Sequence, residues 1–367
     1  MAGAELGRPG RSVSGHGPVL RQHGYHSLRI ARVVPETHDA SSFVLDVPEQ
    51  LAETFRYRPG QFCTFRVHVD GNEQLRSYSM SSAPATDSEL TVTVKRVAGG
   101  LVSNWFLDHL AQGDTIELTK PAGVFCPQDS ERPVVGFCGG SGVTPVMSIT
   151  KHVLATTQRP VRLLYANRDP KSVIFDAALS ALVAEHPGRL EVRHHFDTDD
   201  GFLTSEAIAR FVGADLHADI YICGPGPFMD LVESTVLTQG VRSERIFIER
   251  FLVEQAEKTD ALIDDEAAGA ADPAVPDEVT VTLEGKTVVV RYQPGDTLLE
   301  TARRGGLRPP FSCEAGNCAT CMAFLKEGSV RMRANNALTP EEVEEGWVLT
   351  CQSLPSGRTV TVEYEAM

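Results

Sequence analysis

The sequence predicts three folded domains of different class: an antiparallel β-barrel, a doubly wound α/β domain and a small α+β domain of the β-grasp kind. Residues 25–128 contain short alternating apolar and polar runs separated by Gly, Pro, Asp and Asn, which is typical of many antiparallel strands. Residues 129–252 alternate strand-like and helix-like segments, which indicates a parallel sheet covered by helices. An acidic linker at 253–277 separates both from residues 278–367.

The elements of the first two domains follow from these runs. The barrel strands are predicted in HSLRIARVV, SSFVLDV, QFCTFRVHV, ELTVTVKRV and TIELTKP. One helix, LVSNWFLDHLAQG, interrupts them and is expected to end at Gly113 as its C-cap. The parallel strands are predicted in PVVGFCG, VRLLYAN, LEVRHHF, DIYICG and RIFIERF, with helices near 145–156, 172–186, 203–212 and 227–239.

The C-terminal domain begins with a hairpin signal, two alternating runs around Glu284-Gly285-Lys286. A short helix, TLLETARRGG, follows and is expected to be capped by Gly305. The remaining elements are predicted in MAFLKEG, TPEEVEEG and RTVTVEY, which gives the small α+β domain.

The net charge of −15 is concentrated in one place, because residues 254–278 hold nine acidic residues and one Lys, a balance of −8. The absence of a basic patch in the sequence argues against nucleic acid as a partner. No apolar run approaches the length of about 20 residues that spans a bilayer. Residues 1–24 have no apolar secretion core and are interpreted as a disordered tail, so we expect a cytoplasmic protein without a membrane span.

Four cysteines near the C-terminal end have the spacing of an iron–sulfur site. Cys313, Cys318 and Cys321 form a C-x4-C-x2-C array, and Cys351 follows, as in plant-type 2Fe-2S ferredoxins. The residues between them are nearly all small, so the loop can wrap tightly. Zinc sites more often contain paired C-x2-C elements or histidines, and no His lies near this loop. The sequence therefore predicts a 2Fe-2S cluster on four thiolates, with zinc and unliganded thiols as alternatives.

Two segments of the barrel domain suggest a flavin site. Arg76-Ser77-Tyr78-Ser79, at the start of a strand-like run, combines a cation for phosphate, a flat ring to stack on isoalloxazine and a hydroxyl for its N5. An ordinary polar strand is the alternative. Further on, Val94-Lys95 leads through Gly99-Gly100 to Ser103 at a helix start, and a Gly-rich turn into a helix N-terminus favours phosphate binding.

Two loops of the parallel-sheet domain suggest a nicotinamide nucleotide site. Gly139-Gly140-Ser141-Gly142 follows a strand and precedes Thr144, expected as N-cap, and Pro145, expected at the first helical position. Glycines there allow the backbone to approach a pyrophosphate. The second loop, Cys223-Gly224-Pro225-Gly226-Pro227-Phe228-Met229, ends the fourth strand. For Cys223 a buried core thiol is the alternative.

Residues 25–251 resemble the ferredoxin–NADP reductase superfamily, and the C-terminal ferredoxin extends the resemblance over nearly the whole chain. Within it, YANRDPKSVIF, YICGPGPFM and CEAGNCATCM are most similar to 3-ketosteroid 9α-monooxygenase reductases, with phenylacetyl-CoA epoxygenase reductases as close relatives.

The resemblance implies a role for each motif residue. FAD would be bound by Arg76, Ser77, Tyr78, Ser79, Val94, Lys95, Gly100, Val102, Ser103 and Phe251. The nicotinamide nucleotide would be bound by Gly139, Gly140, Ser141, Gly142, Thr144, Pro145, Arg168, Cys223, Gly224, Pro225, Phe228 and Met229. Ser79, Cys223 and Glu249 would have catalytic roles near the nicotinamide and the flavin N5. The alternative interpretation of Glu249 is an ordinary surface carboxylate in a strand.

The region after the third strand of the α/β domain favours NADH over NADPH. It reads His194-His195-Phe196-Asp197-Thr198-Asp199-Asp200, and carboxylates repel a 2′-phosphate but accept from a ribose diol. Arg168 is the residue that would favour NADPH instead.

The function predicted from these features is an NADH-dependent oxidoreductase that passes electrons through FAD and a 2Fe-2S cluster to a separate oxygenase. The sequence lacks a Rieske motif, so the terminal oxygenase is expected to be another protein, most similar to a Rieske-type 3-ketosteroid 9α-hydroxylase. The alternatives are a reductase for a di-iron oxygenase, epoxygenase or desaturase, and an electron-carrier or redox-sensing module.

Overall fold

The computed structural model describes residues 25–69, 71–250, 276–311, 316, 319–335 and 337–364. The expectations for the tail, for nearly all of the linker, and for Phe251, Cys313 and Cys318 fall outside these residues. No helix in the described part of the chain has the length and apolar character that crossing a bilayer requires.

The first sheet is antiparallel and closes into a barrel, as predicted. Its strands are β1 (His26–Thr37), β2 (Ala40–Asp46), β3 (Phe62–Val69), β4 (Asn72–Ser79), β5 (Leu90–Lys95) and β6 (Thr115–Leu118), and its helix is α1 (Leu101–His109). The order is β4-β3-β6-β1-β2-β5, and a bridge between Met80 and Val92 joins the two outer strands. Phe43, Phe65 and Phe106 meet edge-on inside.

Two details of the barrel differ from the sequence prediction. Helix α1 ends at His109 with Leu110 as C-cap, and Gly113 (φ 97°) lies in the following turn, where its N–H donates to the carbonyl of Ile30. Strand β4 begins at Asn72, four residues before the strand-like run that the sequence indicates, because its first residues are polar; it forms through pairing along the whole length of β3. The motif Arg76–Ser79 therefore lies at the end of a strand and not at its start.

The second sheet is parallel and doubly wound, as predicted. It contains β7 (Val134–Gly139), β8 (Val161–Asn167), β9 (Leu190–Phe196), β10 (Asp219–Gly224) and β11 (Ile246–Arg250), in the order β11-β10-β7-β8-β9. Its helices are α2 (Val143–Thr156), α3 (Asp176–Glu185), α4 (Asp197–Asp200), α5 (Ser205–Val212) and α6 (Gly226–Thr238). Separate apolar cores fill the two faces. The strand order reverses between β7 and β10, and ligands of such sheets bind at the carboxyl ends beside that point.

The third sheet is mixed and has the β-grasp character expected of the C-terminal region. It contains β12 (Glu278–Leu283), β13 (Lys286–Arg291), β14 (Met322–Met332), β15 (Trp347–Leu349) and β16 (Ser353–Glu363), with helices α7 (Leu298–Arg304) and α8 (Pro340–Glu344). The order is β13-β12-β16-β14-β15, and β12 runs parallel to β16.

Local signals of this domain agree with the structure. Glu284 and Gly285 have φ angles of 51° and 74° in the β12–β13 turn, which is the backbone that two-residue hairpins favour. Helix α7 begins with a capping box between Thr297 and Glu300 and ends with Gly305 as C-cap. The short strand β15 was not predicted, because three apolar residues carry no readable period.

A buried ion pair anchors the first residue of β10. The Asp219 side chain is 0% exposed and accepts from Arg159 Nη2 at 2.6 Å, from Arg132 Nε at 2.7 Å and from Ser130 Oγ at 2.7 Å. A buried carboxylate keeps its charge only when such partners replace water. The network therefore ties the segment that leads into β7 to the centre of the parallel sheet.

We expect Asp219→Ala to lower the free energy of unfolding by about 3–5 kcal/mol, because it leaves the buried Arg159 guanidinium without its counter-charge. Glu89→Gln is the control, since its pair with Arg32 is exposed to solvent and its removal should lower the free energy of unfolding far less. Urea denaturation measures both. Equal losses in the two variants would contradict the role given to the buried network.

Candidate functional site

The barrel and the parallel sheet meet where β4 ends and the carboxyl ends of β10 and β11 begin. The Ser79 hydroxyl at the end of β4 donates to Glu249 Oε2 at 2.8 Å. Nearby, the Ser148 hydroxyl of α2 donates to the Ser82 carbonyl at 2.5 Å. These contacts hold the end of the flavin motif against the switch point of the nucleotide sheet.

The three predicted catalytic residues are brought together at this junction. Glu249 on β11 is in register with Cys223 on β10, and Ser79 reaches Glu249 from the barrel across 170 positions of sequence. Burial raises the pKa of Glu249 to about 8, and the Ser79 hydrogen bond opposes that rise. The carboxyl group is therefore protonated at neutral pH.

Cys223 is completely buried, which agrees with the alternative interpretation of this residue as a buried core thiol. Burial raises the pKa of its thiol well above the ordinary value, and Glu249 and Cys138 add to the effect. The group therefore remains a neutral thiol. Its backbone is as important as its side chain, because its carbonyl packs against the glycine loop that follows β7.

The flavin motif presents its residues on two faces of β4. Successive side chains of a strand point to opposite faces, so Arg76 and Tyr78 share one face. The Tyr78 ring packs 5.1 Å from Phe106, and burial raises the pKa of its phenol, which stays neutral. Burial lowers the pKa of the Arg76 guanidinium, and its Nη1 donates to the Leu75 carbonyl at 2.6 Å.

The two serines of the motif have different partners. Ser77 shares a hydrogen bond of 2.9 Å with Thr64 on β3, whereas Ser79 reaches Glu249. The pleat of β4 therefore directs Ser79 and Arg76 to opposite faces of the strand.

The start of α1 has the geometry of a phosphate cradle. Gly100 is the N-cap, and a Cβ there would lie 2.8 Å from Ser103 Oγ, so the backbone is closely packed. The Ser103 hydroxyl accepts from the Val97 N–H at 3.3 Å. Val94 and Val102 are core residues, with side chains fully buried in the barrel. The free N–H groups of the first helical turn fit the pyrophosphate of FAD.

The two nucleotide loops pack against each other with no room for side chains. A Cβ on Gly142 would lie 2.1 Å from the Cys223 carbonyl oxygen, and one on Gly139 would lie 2.7 Å from Pro225 Cδ. Gly140 has a φ of 54°, which favours glycine. This backbone wall at the N-terminus of α2 fits a dinucleotide pyrophosphate.

Helix α2 begins earlier than expected. A 3-10 turn over Gly140–Gly142 leads into it, so Gly142 is the N-cap. Thr144 is not the cap, and its hydroxyl donates to the Ser141 carbonyl at 3.0 Å. Pro145 accordingly occupies the third helical position instead of the first.

In the second loop, Pro225 is the N-cap of α6. Phe228 lies against Gly139 and Gly224, so its ring helps to close the junction of the two loops. The Met229 side chain is buried in the core between β10 and α6. The predicted contact with the nucleotide would therefore have to come from the backbone of Met229.

Arg168 follows β8 and has a partner that sequence reasoning missed. Its Nη2 lies 3.0 Å from Oδ2 of Asp39, in the turn between β1 and β2 of the barrel. Burial would raise the pKa of Asp39, but the Thr37 hydroxyl and the charges of Lys95, His38 and Arg168 outweigh it, so the pKa lies below its ordinary value. No local signal marks Asp39, because its contact spans 129 positions.

The C-terminal domain brings two of the four predicted cluster cysteines to one apolar core. Cys321 and Cys351 are both buried there, and the Thr350 hydroxyl donates to the Cys321 carbonyl at 2.7 Å. Gly316 has a φ of 77°, and a Cβ there would lie 2.7 Å from the Ala334 carbonyl oxygen. The tight loop and buried thiols fit a 2Fe-2S cluster.

Three family models match the chain in the same order as the three sheets. An oxidoreductase FAD-binding domain matches residues 27–126 and an oxidoreductase NAD-binding domain matches 137–234. A 2Fe-2S iron-sulfur cluster binding domain matches 281–356.

Curated relatives match over nearly the full length. The ferredoxin reductase component of 3-ketosteroid-9-alpha-monooxygenase from Mycolicibacterium smegmatis is 40% identical over 92% of this chain and 96% of its own. The chain belongs to the family of monooxygenase reductase components. The reductase is also 32% identical to one of the subunits of 1,2-phenylacetyl-CoA epoxidase from Escherichia coli, over 93% of this chain and 98% of that one.

A solved structure has the same fold along the whole reductase. Phthalate dioxygenase reductase matches with a TM-score of 0.58 and 23% identity, covering 93% of this chain and 98% of its own. The reductase thus combines FAD-binding, NAD-binding and 2Fe-2S domains. When bound, the flavin and the cluster supply the electron-transfer chemistry, while the protein supplies binding, orientation and electrostatics.

We expect Gly142→Ala to destabilise the reductase by about 1–3 kcal/mol, because the new Cβ collides with the Cys223 carbonyl and the backbone must move. Gly226→Ala is the matched control: it lies at the start of α6 with nothing within 4 Å of the added Cβ. Thermal unfolding compares the two variants. A smaller loss for Gly142→Ala than for Gly226→Ala would show that the loops are not closely packed.

We expect Glu249→Gln to become more stable relative to the wild-type protein as pH rises from about 4.5 to about 8. Across this window the folded state keeps a proton that the unfolded chain has lost, which costs the wild type at most about 1.4 kcal/mol per pH unit. Melting temperatures of the two flavin-loaded proteins measure the difference.

Glu117→Gln is the control for this pH series. Its hydrogen bond from Arg66 lowers the pKa of Glu117, so the stability that it contributes is lost only as pH falls through the acid range. Its difference from the wild type should therefore stay level above about pH 5. A level difference for Glu249→Gln as well would mean that its carboxyl group is ionised in the folded protein.

Proposed function

We propose that this reductase takes electrons from NADH and delivers them, through FAD and the 2Fe-2S cluster, to a separate terminal oxygenase of the 3-ketosteroid 9α-hydroxylase type. The observation that carries the proposal is the 40% identity to a reductase component of that system over 92% of the chain, with all three domains in one order. The identity to the epoxidase relative is lower, at 32%.

In this proposal the residues at the junction bind and orient the two ring systems. Tyr78 and Arg76 would contact FAD from one face of β4, and the N-terminus of α1 would hold its pyrophosphate. Ser79 and Glu249 would meet beside the flavin N5 and the nicotinamide. Because Glu249 is protonated at neutral pH, it would place a hydrogen-bond donor there without adding negative charge.

The choice of NADH has support from two sides. The residues after β9 include Asp197, Asp199 and Asp200, all in the first turn of the short helix α4. Arg168, the cation that would favour a 2′-phosphate, is paired with Asp39. Both arrangements suit a ribose diol better than a phosphate.

A second candidate acceptor is an epoxidase-type oxygenase, because one full-length relative belongs to phenylacetyl-CoA epoxidase. An electron carrier with an inactive reductase half fits less well. An inactive reductase half would not need the tight packing of the two glycine loops or the Ser79–Glu249 hydrogen bond, and both are present.

Reconstitution tests the acceptor. The reductase is mixed with NADH and either the oxygenase component of 3-ketosteroid 9α-monooxygenase or the epoxidase oxygenase, and the oxidised product is measured. We expect steroid hydroxylation at least about tenfold faster than epoxidation under matched conditions. Faster epoxidation would assign the reductase to the other partner, and no bleaching of the flavin by NADH would reject the reductase function itself.

We expect Cys351→Ser to abolish electron delivery to the oxygenase and leave flavin reduction by NADH within about twofold, because the two sites are separate. Cys126→Ser is the matched control, as another buried cysteine, located in the segment between β6 and β7. Iron and acid-labile sulfide content and stopped-flow absorbance check both variants. Unchanged iron and sulfide in Cys351→Ser would remove this residue from the cluster.

A further inference from the structure

Arg168 occupies the position where nucleotide-binding sheets distinguish the two nicotinamide nucleotides. It directly follows β8, the strand next to β7 and its glycine loop. In folds of this kind the residues at the end of that strand meet the ribose, where a carboxylate accepts from the 2′-hydroxyl and an Arg binds a 2′-phosphate. The Thr198 N–H donates to the Arg168 carbonyl at 3.0 Å and holds the backbone there.

Asp39 reaches this position from the other domain. Its side chain is only 14% exposed, whereas that of Arg168 is 61% exposed. The Thr37 hydroxyl donates to Asp39 Oδ1 at 2.8 Å, and the Arg96 N–H donates to the Asp39 carbonyl at 2.7 Å. The carboxylate is thus held firmly while the arginine remains open to solvent, so Asp39 determines where the guanidinium rests.

A second cation makes the arrangement selective. Lys95 at the end of β5 contributes to the field on Asp39, and its Nζ would lie 3.7 Å from a Cβ on Gly140 of the glycine loop. Without Asp39, the positive charges of Lys95 and Arg168 would lie beside the nucleotide loop with only Asp169 nearby to offset the charge of Lys95. A 2′-phosphate carries a charge of about −1.5 to −2 and would be attracted there.

We propose that Asp39, a residue of the FAD barrel, sets the nucleotide selectivity of the reductase by pairing with Arg168 and repelling the 2′-phosphate of NADPH. The inference rests on the proposed use of NADH and deepens it. Selectivity then comes from a carboxylate that repels the disfavoured ligand, NADPH. This carboxylate belongs to the barrel, whereas the nucleotide loops belong to the parallel-sheet domain.

The alternative is that the pair only braces the two domains. The structure offers a matched pair to separate the two roles, since Lys151 of α2 lies 2.9 Å from Asp87 of the barrel. It too joins the barrel to the nucleotide domain through one carboxylate and one cation. Asp87→Asn therefore removes a brace of the same kind without touching the Arg168 position.

The test compares flavin-loaded wild type, Asp39→Asn, Asp87→Asn and the double variant Asp39→Asn/Arg168→Ala. We expect Asp39→Asn to raise the ratio of kcat/KM for NADPH to that for NADH about tenfold. Asp87→Asn should leave the ratio within about twofold, and the double variant should lose most of the gain.

Calorimetry with two adenosine nucleotides gives a readout that does not depend on turnover. We expect Asp39→Asn to bind 2′,5′-ADP about tenfold more tightly than the wild type, with 5′-AMP changed by less than about twofold. Asp39→Ser, which also lacks the charge, repeats the measurement if the asparagine variant unfolds.

An unchanged preference for 2′,5′-ADP over 5′-AMP in both Asp39 variants would overturn the proposal. So would an equal change for both nucleotides, or the same gain in Asp87→Asn, since a brace alone would act in that way. Failure of the proposed function would give a different result. In that case NADH would not reduce the flavin of the wild-type protein, regardless of how 2′,5′-ADP and 5′-AMP bind in calorimetry.

Discussion

The hydrogen bond between Ser79 and Glu249 is the contact on which the arrangement of the site depends. It joins the last residue of a barrel strand to the edge strand of the parallel sheet, and it aligns the flavin motif with the strand-order reversal of that sheet. Because burial raises the pKa of this carboxyl group to about 8, its proton is retained at neutral pH and the Ser79–Glu249 contact carries no net charge. A neutral hydrogen-bonded junction can exclude water without leaving an uncompensated charge.

A second carboxylate at the same interface has the opposite character. Asp39 remains ionised because the Thr37 hydroxyl and nearby cations outweigh its burial, while Glu249 has only a hydroxyl as its opposing partner. Environment alone therefore gives two acidic side chains different protonation states, one neutral at the Ser79 contact and one charged beside Arg168. Separated pKa values of this kind are how one fold assigns different roles to one chemical group.

Close backbone packing gives the site its rigidity. The loops after β7 and β10 touch through Gly142 and the Cys223 carbonyl, with no space for a Cβ between them. The cluster loop uses the same device where Gly316 meets the Ala334 carbonyl. In each case glycine allows two main-chain segments to approach closely, so the position of their polar groups is fixed by the fold.

The sequence by itself determined the domain classes, the motif loops and most strands. VRLLYAN and DIYICG match β8 and β10 residue for residue, because parallel strands buried on both faces are marked by their own apolar residues. LEVRHHF matches β9 as well, although that edge strand is buried only at Leu190 and is mostly polar. The sequence also predicts the hairpin at Glu284-Gly285, since it depends on local φ preferences. It predicts the cap at Gly305 too, although φ there is an ordinary −70° and the close approach of Val290 Cγ2, 2.4 Å from an added Cβ, is what leaves no room for a side chain.

Only the tertiary structure decided the elements and contacts whose cause lies elsewhere in the chain. Strand β4 is polar and forms because β3 offers a partner. Gly113 is not the helix cap that the sequence predicts, because its N–H donates to Ile30 of β1. The pairings of Ser79 with Glu249 and Asp39 with Arg168 span 170 and 129 positions. Periodicity and backbone preference act over a few residues, whereas these contacts exist only after the two domains have packed together.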